Sequence, residues 1–140
     1  MPAPVVLGQT ATGQWLDKTQ YQGRVLVVTF WASWCAPCLA ELSALERLQM
    51  QVPTQLAVVA INIESAARFA DLAQALQPRL QLTLTHDHQA RAQRAWQVRR
   101  IPHLFMVDRA GGVAAEHRGY DESMIPALVA QIEALLAAPD

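Results

Sequence analysis

Phe30-Trp31-Ala32-Ser33-Trp34-Cys35-Ala36-Pro37-Cys38 holds the only two cysteines of the chain. It closes an apolar run that starts at Val25 and opens directly into a helical pattern. Val25–Phe30 is apolar almost without interruption, as expected of a strand covered on both faces. Beyond it Leu39, Leu42, Leu45, Leu48 and Val52 recur at spacings of three and four, which predicts a helix that Pro53 stops. Two cysteines separated by two residues, at a strand-to-helix junction, have the arrangement of a dithiol–disulfide redox pair.

The chemistry suits that position. Disulfide exchange proceeds through the thiolate. Cys35 falls at the start of the predicted helix, where unpaired amides and the helix dipole favour an anion by about 0.3–1 kcal/mol. Cys38 follows by about one turn, within reach of the Cys35 sulfur. Pro37 sits in the first turn, where its missing N–H would have had no partner. A zinc site needs four ligands, and no second cysteine pair exists. His86-x-His88 and His117 are read as surface histidines, and no metal is expected.

Working outward, Leu56–Ile63 predicts a second buried strand. Ser65 is placed to cap a helix with Phe69, Leu72, Ala73 and Leu76 inward, ending before Pro78. Leu80–Thr85 alternates with period two and predicts a third strand; residues 89–97 predict a short helix. His103–Val107 predicts a strand, and Asp108–Gly112 a turn into Val113–His117. The last helix is expected from about Ser123, with Ile125, Leu128, Val129, Ile132, Leu135 and Leu136 on its buried face. Residues 1–24 are broken by prolines and glycines and read as irregular, with one short strand at Gln14–Leu16. The β-α-β order requires parallel pairs, and the Gly111-Gly112 turn an antiparallel one. The fold class is therefore α/β, a mixed central sheet with helices on both faces, in one domain spanning 1–140.

Composition removes several alternatives. At 52% hydrophobic and 16% charged, the chain is too apolar for disorder. A net charge of −1 gives no footprint for nucleic acid. The longest nearly uncharged apolar run, Val25–Trp34, is too short to span a bilayer. The Met1-Pro2-Ala3-Pro4 start shows no basic segment followed by an apolar one, so no signal peptide is read.

The cysteine stretch with Glu41, together with Ala60–Ser65, Ile101-Pro102, Phe105–Asp108 with Gly111-Gly112, and Gly119–Met124, resembles the thioredoxin superfamily. Within it the chain is most similar to the TlpA/ResA/DsbE-like branch of exported thiol–disulfide proteins, from about residue 3 to residue 136. The resemblance implies a thioredoxin-like fold and a redox-active Cys35–Cys38 disulfide with no further cofactor. It implies a cis-proline at Pro102 facing the disulfide, with the Ile101 backbone offered to a substrate strand; a trans proline opening a strand is the alternative. Trp34, Ala36, Pro37, Ile101 and His103 are the expected substrate contacts. His103 either lies by Cys35, where a protonated imidazole would stabilise the thiolate, or points away along its strand.

Thioredoxin carries a buried aspartate six residues before its first cysteine, and Thr29 stands there here, unable to act as a base. Glu64 is the nearest match to a glutamate of ResA-like proteins and is either the proton acceptor for Cys38 or a solvated neighbour of the Ser65 cap. Glu41 is read as a first-turn charge suited to the helix dipole. The expected activity is protein disulfide exchange, as a reductant in the cell envelope serving cytochrome c maturation or a similar task. Expected partners are protein thiols and disulfides and an upstream membrane electron donor. The protein is expected to be a periplasmic or otherwise extracytoplasmic monomer, whose signal or anchor is not present in this chain. The alternatives are an oxidant or isomerase of the DsbA/DsbC kind and, from another class, a thiol copper metallochaperone.

Overall fold

The computed structural model describes residues 2–139. The chain forms strands at Val6–Gln9 (β1), Trp15–Asp17 (β2) and Val25–Trp31 (β3), then helix Ala36–Gln51 (α1). Leu56–Asn62 (β4), Ala66–Leu76 (α2), Thr83–His86 (β5) and Arg91–Ala95 (α3) follow. The chain finishes with His103–Val107 (β6), Val113–Arg118 (β7) and Ile125–Ala137 (α4). One mixed sheet runs β2-β1-β5-β4-β3-β6-β7. The β3–β4 and β4–β5 pairs are parallel, and β3–β6 and β6–β7 antiparallel.

All seven residues of β3 and all seven of β4 are buried, which explains their unbroken apolar character. Val25, Val27 and Trp31 pack with Leu104 and Met106 against Leu42 and Leu45 of α1, Phe69 of α2, and Leu128 and Ile132 of α4. Leu26, Val28, Phe30, Phe105 and Val107 line the opposite face, under Ala92 of α3, Trp96 and the N-terminal segment. Helices thus lie on both faces, three on one and the short α3 on the other.

The N-terminal segment differs from expectation. It supplies two strands, and β1 enters the sheet between β2 and β5. Four residues containing a glycine carry no legible periodicity, and the placement of β1 rests on distant partners. Thr85 Oγ1 donates to the Leu7 carbonyl at 2.7 Å, and Trp96 Nε1 to that of Val6 at 2.9 Å. Gly8 has φ +89°, and a Cβ there would stand 2.7 Å from the His86 carbonyl oxygen and 2.8 Å from Thr85 Oγ1. Close approach to β5 therefore requires glycine.

Two other boundaries moved. Strand β5 begins at Thr83 rather than Leu80, because the amides of Arg79 and Leu80 donate to the Leu76 carbonyl in the turn that ends α2. Helix α3 begins only at Arg91, since Gln89 and Ala90 have φ of 55° and 56°. The Asp87 carboxylate takes the amides of Ala92 at 2.7 Å and Gln93 at 3.0 Å, satisfying its first turn. Trp15 is half-exposed and edge-on to His88.

Gly8→Ala is expected to lower stability by about 1–3 kcal/mol in urea unfolding, and by more than Gly23→Ala. Gly23 has the same positive φ, +88°, with nothing within 4 Å of the added Cβ. Equal losses would show that contact with β5 contributes nothing.

Candidate active site

Phe30 of β3 lies opposite His103 of β6, so the end of β3 meets the start of β6. The loop leading to Cys35 and the loop leading to Pro102 therefore occupy the same end of the sheet. Cys35 is the N-cap of α1, and its sulfur accepts the Cys38 amide at 3.3 Å. A sulfur there sits among amides that no helical carbonyl can serve, which favours the thiolate over the thiol.

The two cysteines form a disulfide with Cα atoms 5.2 Å apart. Cys35 keeps 7% of its surface in solvent and Cys38 none. An incoming group can therefore reach only Cys35. The Cys38 sulfur lies 4.0 Å from the Phe30 carbonyl oxygen, at the base of the site. Around the disulfide, Ala36 and Pro37 are exposed, Trp34 is 71% exposed and Leu39 39%. Trp31 is wholly buried. Ile101 packs against the cluster containing both cysteines. The Ile101–Pro102 peptide bond is cis, and the buried Pro102 gives its carbonyl to the Gly119 amide at 2.9 Å.

The buried acid of α1 is Glu41, contrary to its reading as a first-turn charge suited to the helix dipole. Cys38, Glu41, Leu42 and Leu45 form the buried stripe of α1, and Glu41 is 1% exposed. Its carboxylate accepts a hydrogen bond from the Thr29 hydroxyl, which projects from β3 toward that stripe. Burial pushes the carboxyl up to about 7, against the smaller lowering effect of Thr29. The strand position thus carries a hydroxyl and the facing helix carries the acid. Its sequence signal was there to read: a lone acid three residues after Cys38, inside an apolar stripe.

Glu64 has another task. Its carboxylate accepts the Ser33 amide at 2.8 Å, the Ser33 hydroxyl at 2.7 Å and the Asn62 amide nitrogen at 2.9 Å, with Arg68 at 4.0 Å. Burial pushes this carboxyl up, but the hydrogen bonds from Asn62 and Ser33, helped by Arg68, outweigh it and hold it below the usual range. A carboxylate so occupied is a poor proton acceptor for Cys38. It clamps the loop before Cys35 to the end of β4.

His103 takes the second of its two placements. Paired with Phe30, its side chain lies on the α3 face of the sheet, stacked on Phe105 at 4.3 Å and 3.3 Å from Glu116. Leu104 and Met106, not His103, face the cysteine side. Burial lowers its imidazole more than Glu116 raises it, so the ring is neutral near pH 7. It supplies no cation to Cys35.

The buried Glu41 carries a stability consequence. Between about pH 4.5 and 7 the unfolded chain has released this proton while the folded chain retains it, so stability falls as pH rises through that window. The loss is on the order of 3 kcal/mol and is complete above pH 7. Glu41→Gln should match the parent near pH 4 and exceed it near pH 8 in urea unfolding of the oxidised protein. A difference independent of pH would show that Glu41 does not titrate as a buried acid.

Comparison with known proteins agrees with the geometry. The AhpC/TSA family profile matches residues 1–116. A thioredoxin-like protein YneN from Bacillus subtilis is 38% identical over 47% of this chain and 39% of its own length. A thiol:disulfide interchange protein DsbE homolog from Paracoccus denitrificans is 32% identical over 84% of this chain. The match spans 64% of that relative, so the chain covers less than two thirds of either protein. A crystal structure from Chlorobium tepidum, assigned as a thiol:disulfide interchange protein DsbE, superposes with a TM-score of 0.87 at 29% identity. It covers 97% of this chain and 96% of its own. With the β-α-β core, the Cys35–Cys38 pair at a helix start and these relatives together, the chain belongs to the AhpC/TSA family and has a thioredoxin-like fold.

Proposed function

We propose that this protein reduces disulfides of other proteins, with Cys35 as nucleophile, Cys38 as resolving thiol and Glu41 as acceptor of the Cys38 proton. The observation that carries this reading is the division of labour along one helix. An accessible sulfur at the N-cap is followed by a buried sulfur and, three residues on, by a buried carboxyl whose pKa lies near neutrality. A general base works best when its pKa is close to the operating pH.

In the reduced enzyme the Cys35 thiolate attacks one sulfur of a substrate disulfide. A bond forms between enzyme and substrate, and the other substrate sulfur leaves as a thiolate. Cys38 then gives its proton to Glu41 and attacks the Cys35 sulfur. The mixed disulfide breaks, the second substrate thiolate leaves, and the enzyme holds the Cys35–Cys38 disulfide. Two electrons have passed to the substrate, whose thiolates take up protons. A dithiol donor reverses the last step, and the resemblance to the TlpA/ResA/DsbE branch points to a membrane protein for it. The Ile101 backbone beside Pro102 serves as the edge along which an extended substrate segment lies, and exposed Trp34, Ala36 and Pro37 form the rest of the contact.

The same resemblance supports an extracytoplasmic setting and a role in cytochrome c maturation or a similar reductive task. No helix among the described residues is long and apolar enough to cross a membrane. The oxidant reading loses its residue support with His103 on the other face of the sheet. Among the described residues no three His, Cys, Asp or Glu side chains are grouped to hold a metal ion.

Cys38→Ser should accumulate a covalent complex with a peptide disulfide, and Cys35→Ser should form none, as read on non-reducing gels. A reduction potential near the thioredoxin value of about −270 mV is expected for the pair, and one near about −120 mV would overturn the reductant assignment. Glu41→Gln should slow resolution of the mixed disulfide about 100-fold at pH 7 in rapid-quench kinetics. An unchanged rate would confine Glu41 to packing.

A further inference from the structure

We infer that a basic groove beside Pro102 docks an acidic stretch of the substrate polypeptide, so that favoured substrates carry carboxylates next to their reactive cysteine. This rests on the disulfide-exchange reading above and adds the class of substrate.

The groove has a volume of about 1020 Å³ and opens between α3, the start of β6 and the end of β7. Ile101 and Pro102 form part of its wall. Four arginines, Arg94, Arg99, Arg100 and Arg118, line it, and one carboxylate, Glu116, borders it against Arg118 and His103. The whole chain has 11 basic residues against 12 acidic ones, so this concentration of one sign is local. Arg94 donates to the Gln89 carbonyl at 2.8 Å, and Arg118 pairs with Glu116 at 3.1 Å. The same Glu116 faces His103 on the groove floor. Arg99 and Arg100 are exposed and have no ion pair or side-chain hydrogen bond among the described residues.

The position of these two arginines matters as much as their charge. They immediately precede Ile101 and Pro102, on the loop that shares one end of the sheet with Cys35. A polypeptide seated on Cys35 and paired along Ile101 has to continue past them. Guanidinium groups bind carboxylates through two parallel hydrogen bonds, which matches an Asp- or Glu-bearing segment. Such a patch also raises the encounter rate with partners of opposite charge. A polypeptide is favoured over other polyanions because the groove begins at Ile101 and Pro102, the backbone along which the proposed substrate segment lies. Trp34 and Leu39 give the neighbouring surface an apolar character, so the two sides of the site differ in chemistry.

The test uses the reduced full chain and two disulfide-linked peptides of equal length. One carries Asp and Glu on both sides of its cysteine, and the other Asn and Gln at the same positions. The readout is the ratio of their second-order exchange rates, followed by tryptophan fluorescence. At low salt the acidic peptide should react about tenfold faster. The ratio should approach one in 0.5 M salt and fall below one in the Arg99→Glu, Arg100→Glu double variant. A ratio near one in the parent, or one unchanged by the double variant, overturns the docking site while leaving disulfide exchange intact. Failure of the parent to exchange with either peptide overturns both.

Discussion

Strand β3 pairs on both edges at once, with β4 in parallel and β6 in antiparallel register, and every one of its residues is buried. Side chains alternate along a strand, so a slip of one residue would exchange its two faces completely. With the register as it stands, Thr29 points toward α1 and Phe30 away from it. That assignment places the Thr29 hydroxyl against Glu41 and sets Cys38 beneath the end of the strand. It also turns His103, the partner of Phe30, to the opposite face. Glu41, Cys38 and His103 all take their positions from one ladder.

The same arrangement explains why an apolar helix stripe tolerates a carboxyl. Glu41 is buried among hydrophobic neighbours with only a hydroxyl to stabilise it, so its proton is held to about neutral pH. In the proposed mechanism a leucine there would leave Cys38 without a proton acceptor. Glu64 shows the opposite solution. Several donors converge on it, it stays ionised, and its function is to hold the loop carrying Ser33. Two glutamates close to one site differ in role because one is desolvated and the other is hydrogen-bonded.

Charge and apolar surface are divided around the disulfide. Trp34 and Leu39 are exposed in the stretch carrying the cysteines, and the arginines of the Pro102 loop and α3 gather on the α3 side of Pro102. Apolar contact adds affinity without regard to sign, whereas a cluster of arginines distinguishes partners by charge.

From the residues alone, the redox pair, the buried strands β3 and β4, helix α1, the Ser65 cap and the β6–β7 hairpin could all be read. Each is encoded by neighbours within a few positions, as a period, a cap or a turn. Strand β1 could not be read, because four residues with a glycine have no period and find their place through Thr85 and Trp96, far along the chain. The spacing of Glu41 from Cys38 marks it as a candidate buried acid, but that Glu41 is desolvated while Glu64 is hydrogen-bonded depends on what lies opposite each after folding. The side taken by His103 was open for the same reason, since it is set by pairing with Phe30, 73 positions earlier. The sequence by itself determined which chemistry is possible here, because Cys35-x-x-Cys38 at a helix start is a local property. Only the tertiary structure decided which groups tune that chemistry, because desolvation and strand facing arise from contacts between distant segments.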